Sequence, residues 1–279
     1  MSVYLRPTRT EEALERLAAA PLTVLAGGTD HYPARVGRPL ADDILDITAL
    51  AALRGIRATD EGWRIGATTT WTRVIEAELP PLFDALKQAA REVGGVQIQN
   101  AGTVAGNLCN ASPAADGVPA LLALDARVEL ASTHGTRRLA LDEFILGPRR
   151  TARRADELLT AIVVPRPRNA ARSRFLKLGA RRYLVISIAM VAAVIEVERK
   201  RVAAARVAVG ACSPVARRLP ALEAALAGAP LDARLGERVH AAHLAPLAPL
   251  DDLRASAGYR GEAARVLVAR CLSALGAQA

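Results

Sequence analysis

The sequence predicts an α+β protein in which strands and helices are largely segregated along the second part of the chain. Short apolar segments bounded by glycine and proline indicate short strands and helices in residues 1–165. Three longer apolar strands follow residue 173, and helices follow those strands. Strands that precede helices in this way predict an antiparallel sheet covered by helices.

The first elements surround a pair of glycines. Residues 11–19 have the spacing of an amphipathic helix, and residues 22–25 form a short buried strand that Gly27 and Gly28 end abruptly. Residues 42–47 are expected to form another strand. The remaining elements before residue 166 are a hairpin at 56–65, a helix from Thr69 or Thr70 to about Glu78, a helix over about 82–93, a helix over 118–126, a hairpin over 127–140 and a strand over 157–165.

A domain boundary is expected at residues 166–173, RPRNAARS, because this segment is polar and contains a proline. The predicted domains are residues 1–165, with subdomains at about 1–55 and 56–165, and residues 174–279. The elements expected in the second domain are strands in RFLKLGA, VISIAMVAAVIEVE and VAAARVAVGA, a charged turn at 199–201, and helices near 220–227, 232–244 and 258–275.

Composition and charge exclude several classes of protein. No apolar run approaches the roughly 18 residues of a membrane span, and the first residues lack a signal peptide, so a cytoplasmic protein without a membrane partner is expected. The net charge is +9, and the densest basic run is GPRRTARRADE at residues 147–157. Aromatic residues make up only 3% of the chain, which leaves few rings to stack on bases. We therefore predict no nucleic-acid partner. The basic run is interpreted as a solvated loop, while docking of partners or attraction of an anionic nucleotide stay open as roles of the basic surface.

Cysteine and histidine spacing gives no sign of a metal or disulfide framework. Cys109, Cys212 and Cys271 lie far apart and form neither a CxxC pair nor a set for an iron–sulfur cluster, so we expect idle or buried thiols. His240 and His243 are three residues apart on a predicted helix and could share a face. They lack a third ligand, so the sequence predicts no bound metal.

Two glycine-bearing segments carry the functional signal. Gly27 and Gly28 lie in one segment, and residues 94–106 form the other. Consecutive backbone N–H groups without bulky side chains can bind an anion, usually a phosphate, and two such loops could clamp a diphosphate. Neither segment fits GxGxxG or a P-loop. Each alone could be a tight turn, but polar residues gather around both: Thr29, Asp30, Thr103, Asn107, Asn110 and Asp116.

Asp116 follows the second segment. A carboxylate beside a phosphate site cannot face the phosphates, because like charges repel. It would instead face hydroxyl or N–H groups, such as those of a ribose, a ribitol or a flavin ring. Capping the helix that follows is an equally good interpretation, and the two roles are compatible.

These segments resemble a known family. LAGGTD, followed about 75 positions later by NAGTVAGNLCNASPAAD, is similar to the flavin-binding subunit of molybdenum hydroxylases, which include xanthine dehydrogenase and aerobic carbon monoxide dehydrogenase. The resemblance continues through ADELLTAIVVP, FLKLGARR and DDLRASAGYRGEAARVLVARCL, and is therefore nearly full-length. It implies a two-part FAD-binding domain of the PCMH type, followed by a small C-terminal domain, with FAD between them.

The resemblance also implies a set of cofactor-binding residues. Residues 24–31 would surround the pyrophosphate and ribitol, and residues 103–107 would form the second loop. Leu159 and Lys177 would approach the adenine and flavin ends, and Val93 occupies a position that is aromatic in some relatives. The full set is Val24, Leu25, Ala26, Gly27, Gly28, Thr29, Asp30, His31, Val93, Thr103, Val104, Ala105, Gly106, Asn107, Asn110, Asp116, Leu159 and Lys177.

Three departures from the family pattern matter. Related flavoproteins of the wider fold attach FAD through a histidine where this chain has Thr29, so non-covalent FAD is expected, with His31 pointing elsewhere. Many relatives carry acidic residues after the paired arginines, where this chain has Tyr183, Leu184 and Val185, which leaves the electron acceptor open. The inserted cysteines that build an extra cluster in some relatives are missing.

By resemblance, the protein is an electron-transfer subunit without catalytic residues of its own. Its FAD would take electrons from [2Fe–2S] clusters on a small partner subunit and deliver them to NAD⁺ or another acceptor. A large partner would carry molybdopterin, and the complex would be a dimer of heterotrimers. A stand-alone FAD oxidase is the alternative and would need a catalytic His or Tyr in the second domain, where Tyr183 is the one candidate and Tyr259 is expected to pack on its helix. A non-enzymatic basic binding protein is a further alternative.

Overall fold

The computed structural model describes residues 2–37 and 41–277. It confirms the α+β class, with three sheets of three or more strands among these residues. In chain order, the elements up to residue 165 are β1 (Tyr4–Leu5), α1 (Thr10–Ala19), β2 (Thr23–Leu25), β3 (Ile44–Asp46), β4 (Ile56–Thr59), β5 (Gly62–Gly66), α2 (Trp71–Glu76), α3 (Asp84–Glu92), α4 (Val96–Ala101), α5 (Val104–Asn110), α6 (Gly117–Ala123), β6 (Arg127–Ser132), β7 (Gly135–Ala140), α7 (Leu141–Phe144), β8 (Ile145–Gly147), β9 (Arg150–Thr151) and β10 (Leu158–Pro165).

The first sheet is small and parallel, in the order β1-β3-β2. The helix α1 contacts β6 of the second sheet and buries Ala13 and Leu17 in the core of the N-terminal part, as its amphipathic spacing predicts. The strand β2 ends at Leu25, and the two glycines follow directly. The carboxyl end of a parallel strand therefore delivers the first glycine segment to one edge of the sheet.

The second sheet is antiparallel, in the order β4-β5-β10-β6-β7. Its central strand β10 is buried from Leu158 to Val164 on both faces, which explains its continuous apolar sequence. Thr70, not Thr69, caps α2, since its hydroxyl accepts from the N–H of Arg73. Thr69 is buried instead and bonds the backbone of Gly55 through its hydroxyl.

The C-terminal part is an antiparallel sheet with helices. Its elements are β11 (Ala170–Leu178), β12 (Ala189–Glu198), β13 (Arg201–Gly210), β14 (Arg217–Arg218), α8 (Pro220–Leu226), two 3-10 helices (Ala233–Arg238 and Ala241–Leu244) and α9 (Ala257–Gly276). The strand order is β11-β12-β13-β14. The sheet-then-helix pattern of the sequence is confirmed here.

The strand β12 joins two cores. Met190, Ala192 and Val194 pack into the core of the N-terminal part, whereas the alternate residues, among them Val191 and Ala193, pack into the core under α8 and α9. This alternation follows from the two-residue period of a strand. The C-terminal sheet thus covers the N-terminal part with one face and its own helices with the other.

Several local predictions were wrong. The expected linker at 166–173 is already strand from Ala170, and Ser173 is buried with its hydroxyl accepting from the N–H of Ala85 at 2.8 Å. The strand predicted from Val185 begins only at Ala189. Residues 232–244 form the two 3-10 helices rather than one α-helix. Tyr259 is 55% exposed, so it does not pack on its helix.

None of the helices in the described ranges is both long enough and apolar enough to cross a membrane.

Candidate functional site

A cleft of about 1040 Å³ lies between the two glycine segments. Residues 24–31 line one side and are hereafter called the first wall. Residues 102–107, hereafter the second wall, line much of the other side with all but Val104. Apolar side chains that include Ile47, Leu158 and Leu159 line it as well. Arg149, Thr151 and Arg153 contribute polar groups to the same lining.

The first wall is held by backbone contacts at both ends. The N–H of Ile47 donates to the carbonyl of Leu25 at 2.9 Å, and the N–H of Tyr32 donates to the carbonyl of Gly28 at 3.2 Å. Gly28 has a φ of +68°, a left-handed conformation that favours glycine. A Cβ at Gly28 would also lie 2.6 Å from the ring of Tyr32. The chain therefore turns sharply here because glycine permits it.

The second wall is the first turn of a helix rather than the loop that the sequence suggested. The hydroxyl of Thr103 accepts from the N–H of Gly106 at 2.9 Å and so caps α5. The N–H of Val104 donates to the carbonyl of Thr69 at 3.0 Å, and the N–H of Trp71 donates to Gly102 at 3.1 Å. The Thr103 cap thus stabilises the start of a helix in a segment whose small-residue composition had suggested no helix.

The two walls touch each other through backbone. A Cβ built at Gly27 would lie 1.9 Å from the carbonyl oxygen of Ala101 and 2.9 Å from the Cα of Gly102. Gly102 in turn faces the hydroxyl of Thr29, which would lie 3.3 Å from a Cβ at Gly102. At Gly27, therefore, the missing side chain lets the first wall approach the second wall.

Two buried polar atoms of the cleft residues have no partner within the described part of the chain. They are Oδ1 of Asn107 and Nε2 of His31. Burial lowers the pKa of His31 below its ordinary value, and the nearby Arg35 lowers it further, so the ring is neutral at neutral pH. A bound molecule with hydroxyl or N–H donors could satisfy both atoms.

The cleft residues carry more positive than negative charge. Arg35 is neutralised by Asp42, with guanidinium and carboxylate 2.5 Å apart. Arg149 and Arg153 form no ion pair with an acidic residue in the part of the chain that the structure describes, and Asp30 is the one acidic residue in the lining. The lining thus suits a molecule with an anionic portion.

Fifteen of the eighteen predicted site residues line this cleft. They include His31, which belongs to the predicted cofactor-binding set. Val104 does not line it, because its side chain lies in the hydrophobic core. Asp116 and Lys177 also lie outside the lining and form a separate centre.

That centre joins the two parts of the chain. The ammonium of Lys177 lies 2.8 Å from Oδ2 of Asp116, and the hydroxyl of Ser187 donates to Oδ1 at 2.8 Å. Both members of the ion pair are buried, with side chains 6% and 10% exposed. Burial raises the pKa of Asp116, while Lys177 and Ser187 oppose the rise. Asp116 occupies the N-cap position of α6 but makes no side-chain cap bond, so the capping role left open by the sequence is not observed.

A second, smaller cavity of about 260 Å³ adjoins Lys177. The segment 179–186 contributes Gly179, Arg181, Arg182 and Val185 to it. Tyr183, Leu184 and Ile186 of the same segment are more than half exposed. The guanidinium of Arg182 lies over the ring of Tyr183, 5.3 Å from its centroid.

Sequence reasoning missed several cleft residues, of which Arg149, Thr151 and Arg153 are the most informative. Arg149 lies in the turn between β8 and β9 with a φ of +58°, and Arg153 lies in irregular chain beyond β9. Arg149 is exposed, as the interpretation of the run as a solvated loop implies, yet it lines the cleft together with the partly buried Arg153. No local pattern of the sequence gives this orientation.

Metal chemistry finds no support in the described residues, where no group of three or more potential ligands occurs. The N–H of His240 donates to Nδ1 of His243 at 3.1 Å within a 3-10 turn, so these rings serve the local backbone. Cys212 and Cys271 are buried, and Cys109 is exposed in the cleft lining.

Comparison with known families decides what this cleft belongs to. Residues 1–167 match the family model described as FAD binding domain in molybdopterin dehydrogenase, and residues 174–275 match the CO dehydrogenase flavoprotein C-terminal domain. The chain belongs to this flavoprotein family. It is therefore an FAD-binding subunit of the molybdenum hydroxylase type and part of an oxidoreductase.

Relatives of this flavoprotein subunit agree along its length. It is 38% identical over 198 residues to the nicotinate dehydrogenase FAD-subunit of Eubacterium barkeri, a match that spans 66% of this chain and 65% of that protein. It is 33% identical to the xanthine dehydrogenase FAD-binding subunit of Escherichia coli O157:H7, over 92% of this chain and 90% of that one. A chain of the reconstituted CO dehydrogenase from Oligotropha carboxidovorans superimposes with a TM-score of 0.90 at 27% identity, covering 100% of this chain and 99% of that one.

The residues of the cleft fit FAD. The unpaired acceptor Oδ1 of Asn107 suits a hydroxyl or ring N–H donor, and two unpaired arginines suit a diphosphate. Thr29 cannot form the covalent bond that a histidine forms in the wider fold. These features come from the chain itself and agree with the family assignment.

Proposed function

We propose that this subunit holds FAD non-covalently in the cleft between the two walls. Electrons from [2Fe–2S] clusters of a small partner subunit would pass through it to NAD⁺ or another acceptor, while a large partner carries molybdopterin. The observation that carries the proposal is the cleft itself, in which fifteen of the eighteen residues expected from the resemblance come together. When bound, FAD supplies the exchange between one-electron donors and a two-electron acceptor.

The two walls bind and orient in this proposal. Thr103 holds the first turn of α5 in place, and Val104 donates its N–H to Thr69, which fixes the second wall. The N–H of Ala105, at the second helical position, has no acceptor within an α-helix. Such an N–H suits a phosphate oxygen, so the second wall serves the diphosphate even though it is a helix end.

The Asp116–Lys177 centre orients the C-terminal part relative to the cleft. Ser187 follows the exposed segment 179–186, and its bond to Asp116 fixes the end of that segment. We propose that the smaller cavity and this segment lie where the acceptor approaches. The apolar side chains of Tyr183 and Leu184 on that surface distinguish this subunit from relatives with acidic residues there.

The proposal has wider parts that follow from the resemblance. One part is the division of the chain at residues 166–173 into a cofactor domain and a C-terminal domain. Ser173, on β11, packs the two domains together. Assembly as a dimer of heterotrimers in the cytoplasm also belongs to the proposal.

A reconstitution experiment tests the function. The purified subunit should be yellow, and acid precipitation should release its flavin into the supernatant. Alone, it should oxidise no purine, aldehyde or aromatic heterocycle; mixed with the iron–sulfur and molybdenum subunits, it should restore substrate-dependent reduction of the acceptor. Each subunit is omitted in turn as the control.

Two results would contradict the proposal. Turnover by this subunit alone at the rate of the full mixture would favour a stand-alone oxidase. Flavin that remains with the acid precipitate would show a covalent bond and would point to His31 or a cysteine.

A further inference from the structure

We propose that Arg149 and Arg153 bind the anionic ADP portion of FAD and make the cleft prefer FAD to riboflavin. This inference rests on the proposed function, because it names residues that hold the cofactor of that function. It concerns the arginine run that the family resemblance leaves without a role.

The first step is the alternation along the run. Arg149, Thr151 and Arg153 line the cleft, whereas Arg150 and Arg154 do not. Arg149, Arg150 and Arg154 are all exposed and Arg153 is partly buried, so the distinction lies in orientation: the guanidinium of Arg150 reaches only the carbonyl of Leu146 at 3.5 Å. Of the four arginines in this segment, two thus line the cleft and two do not.

The second step is that the segment is held from behind. The guanidinium of Arg137 donates to the carbonyl of Ala152 at 2.8 Å and pairs with Glu157 at 2.6 Å. The carboxylate of Glu157 also accepts from the N–H of Arg154 at 2.7 Å. Burial raises the pKa of Glu157, but the bonds from Arg137 and Arg154 outweigh it, so the carboxylate stays ionised.

The third step is that both cleft arginines are positioned without being neutralised. One nitrogen of Arg153 donates to the carbonyl of Glu157 at 2.7 Å and to that of Arg154 at 3.0 Å. Arg149 has a φ of +58°, its N–H donates to the carbonyl of Ala111 at 2.9 Å, and its guanidinium contacts the side chain of Asn110. Backbone and amide oxygens hold these side chains in place and leave their charge uncompensated.

The fourth step is the contrast with the other charges of the cleft. Arg35 is paired with Asp42, and His31 is neutral, so neither offers a free positive charge. Asp30 adds one negative charge to the lining. An uncharged ligand would gain nothing from two unpaired guanidiniums, whereas phosphate oxygens form strong charge-assisted bonds with them.

The test compares two double variants that remove the same charge from the same segment. One is Arg149→Gln with Arg153→Gln, and the matched control is Arg150→Gln with Arg154→Gln. Flavin is removed from the wild-type protein and from both variants, and the Kd of FAD, FMN and riboflavin is measured by titration at two salt concentrations. Thermal unfolding of each protein is recorded alongside.

We expect the cleft variant to bind FAD about 100-fold more weakly, or about tenfold for each arginine, because a hydrogen bond to a charged group is lost at each. Its Kd for riboflavin should change by less than about twofold, and the salt dependence of its FAD affinity should decrease. The control variant should bind FAD like the wild type. Both variants should unfold at similar temperatures.

Three results would overturn the inference. They are an unchanged Kd for FAD in the cleft variant, an equal loss of affinity for FAD and riboflavin, and an equal loss in the control variant. An unchanged Kd together with lost association with a partner subunit would make the arginines a docking surface instead. Failure of the wild-type protein to bind any flavin would refute the proposed function, which is a different outcome.

Discussion

In the first wall of the cleft, Gly27 lies against the backbone of the facing segment, and Gly28 turns the chain with a positive φ. In the second wall, Gly106 lies in the capped first turn of α5, where a Cβ would meet only the hydroxyl of Thr103, at 2.8 Å, within 4 Å. The two segments look alike in sequence, yet one is irregular chain and the other is helix. The space beyond Gly106 belongs to the cleft, and the space beyond Gly27 is filled by protein.

This difference separates two reasons for a glycine. At Gly27 the missing side chain lets two protein segments approach, so the residue shapes the cleft without having to touch what lies in it. At Gly106 the missing side chain leaves room for a ligand beside the second wall. A glycine in a binding segment therefore indicates close approach, and the structure shows whether a ligand or another protein segment makes that approach.

The largest effect is expected for Gly27→Ala. The added Cβ would lie 1.9 Å from the carbonyl oxygen of Ala101, and backbone on both sides cannot yield as a flexible side chain would. We expect a loss of about 3 kcal/mol in the free energy of unfolding, at the upper end for overpacking, with loss of flavin binding as a consequence. Urea denaturation measures the first quantity and the flavin absorbance of the purified protein the second.

Gly106→Ala is the matched control for this change. Alanine is favoured over glycine in a helix by about 0.5–1 kcal/mol, which offsets a weakened cap of about 1 kcal/mol. Its stability should therefore stay close to that of the wild type. Equal destabilisation by the two alanines would show that the walls do not differ as described.

The second effect is expected for Gly106→Val and falls on the ligand. A branched side chain at this position projects into the cleft lining, so we expect FAD affinity to fall at least about tenfold, a loss of about 1.4 kcal/mol. The free energy of unfolding should change by no more than about 1 kcal/mol, since only the cap of Thr103 is disturbed. Flavin titration and urea denaturation are the two measurements.

Gly258→Val provides the control, because Gly258 lies in the first turn of α9 with no atom within 4 Å of a Cβ built there. That variant should bind FAD like the wild type. Full FAD occupancy in Gly106→Val would mean that the second wall does not approach the cofactor.

Much of the fold was predictable because the hydrophobic pattern of the sequence agrees with the burial of the same residues in the structure. The long apolar run of β12 forms a strand and the amphipathic spacing of α1 forms a helix, as predicted. The exceptions are places where tertiary contacts override composition. The second half of the polar segment at 166–173 is strand from Ala170, where Ser173 is buried against the N–H of Ala85, a contact that no local sequence pattern predicts.

The site was predictable in part for a similar reason. Backbone-lined positions such as Gly28 and Gly106 could be placed from glycine spacing together with the family resemblance. The resemblance grouped Asp116 and Lys177 with them, whereas the structure pairs these two charges with each other. Arg149 and Arg153 were missed because orientation along an irregular segment depends on contacts from residues outside the run, Asn110 beside Arg149 and Arg137 behind Ala152.

The smallest effect is expected when the pH dependence of stability is measured. It again distinguishes the walls, because residues 102–107 carry no ionisable side chain whereas the first wall carries His31. Burial and then Arg35 lower the folded-state pKa of His31 below its ordinary 6.5, so the unfolded chain takes up the proton first as pH falls. His31 should therefore cost no stability above about pH 6.5 and reduce it progressively below that value. Denaturation across this range should show a steeper decline for the wild type than for His31→Asn, smaller in size than the effect at Gly27. Parallel profiles for the two proteins would mean that the ring is not desolvated in the first wall.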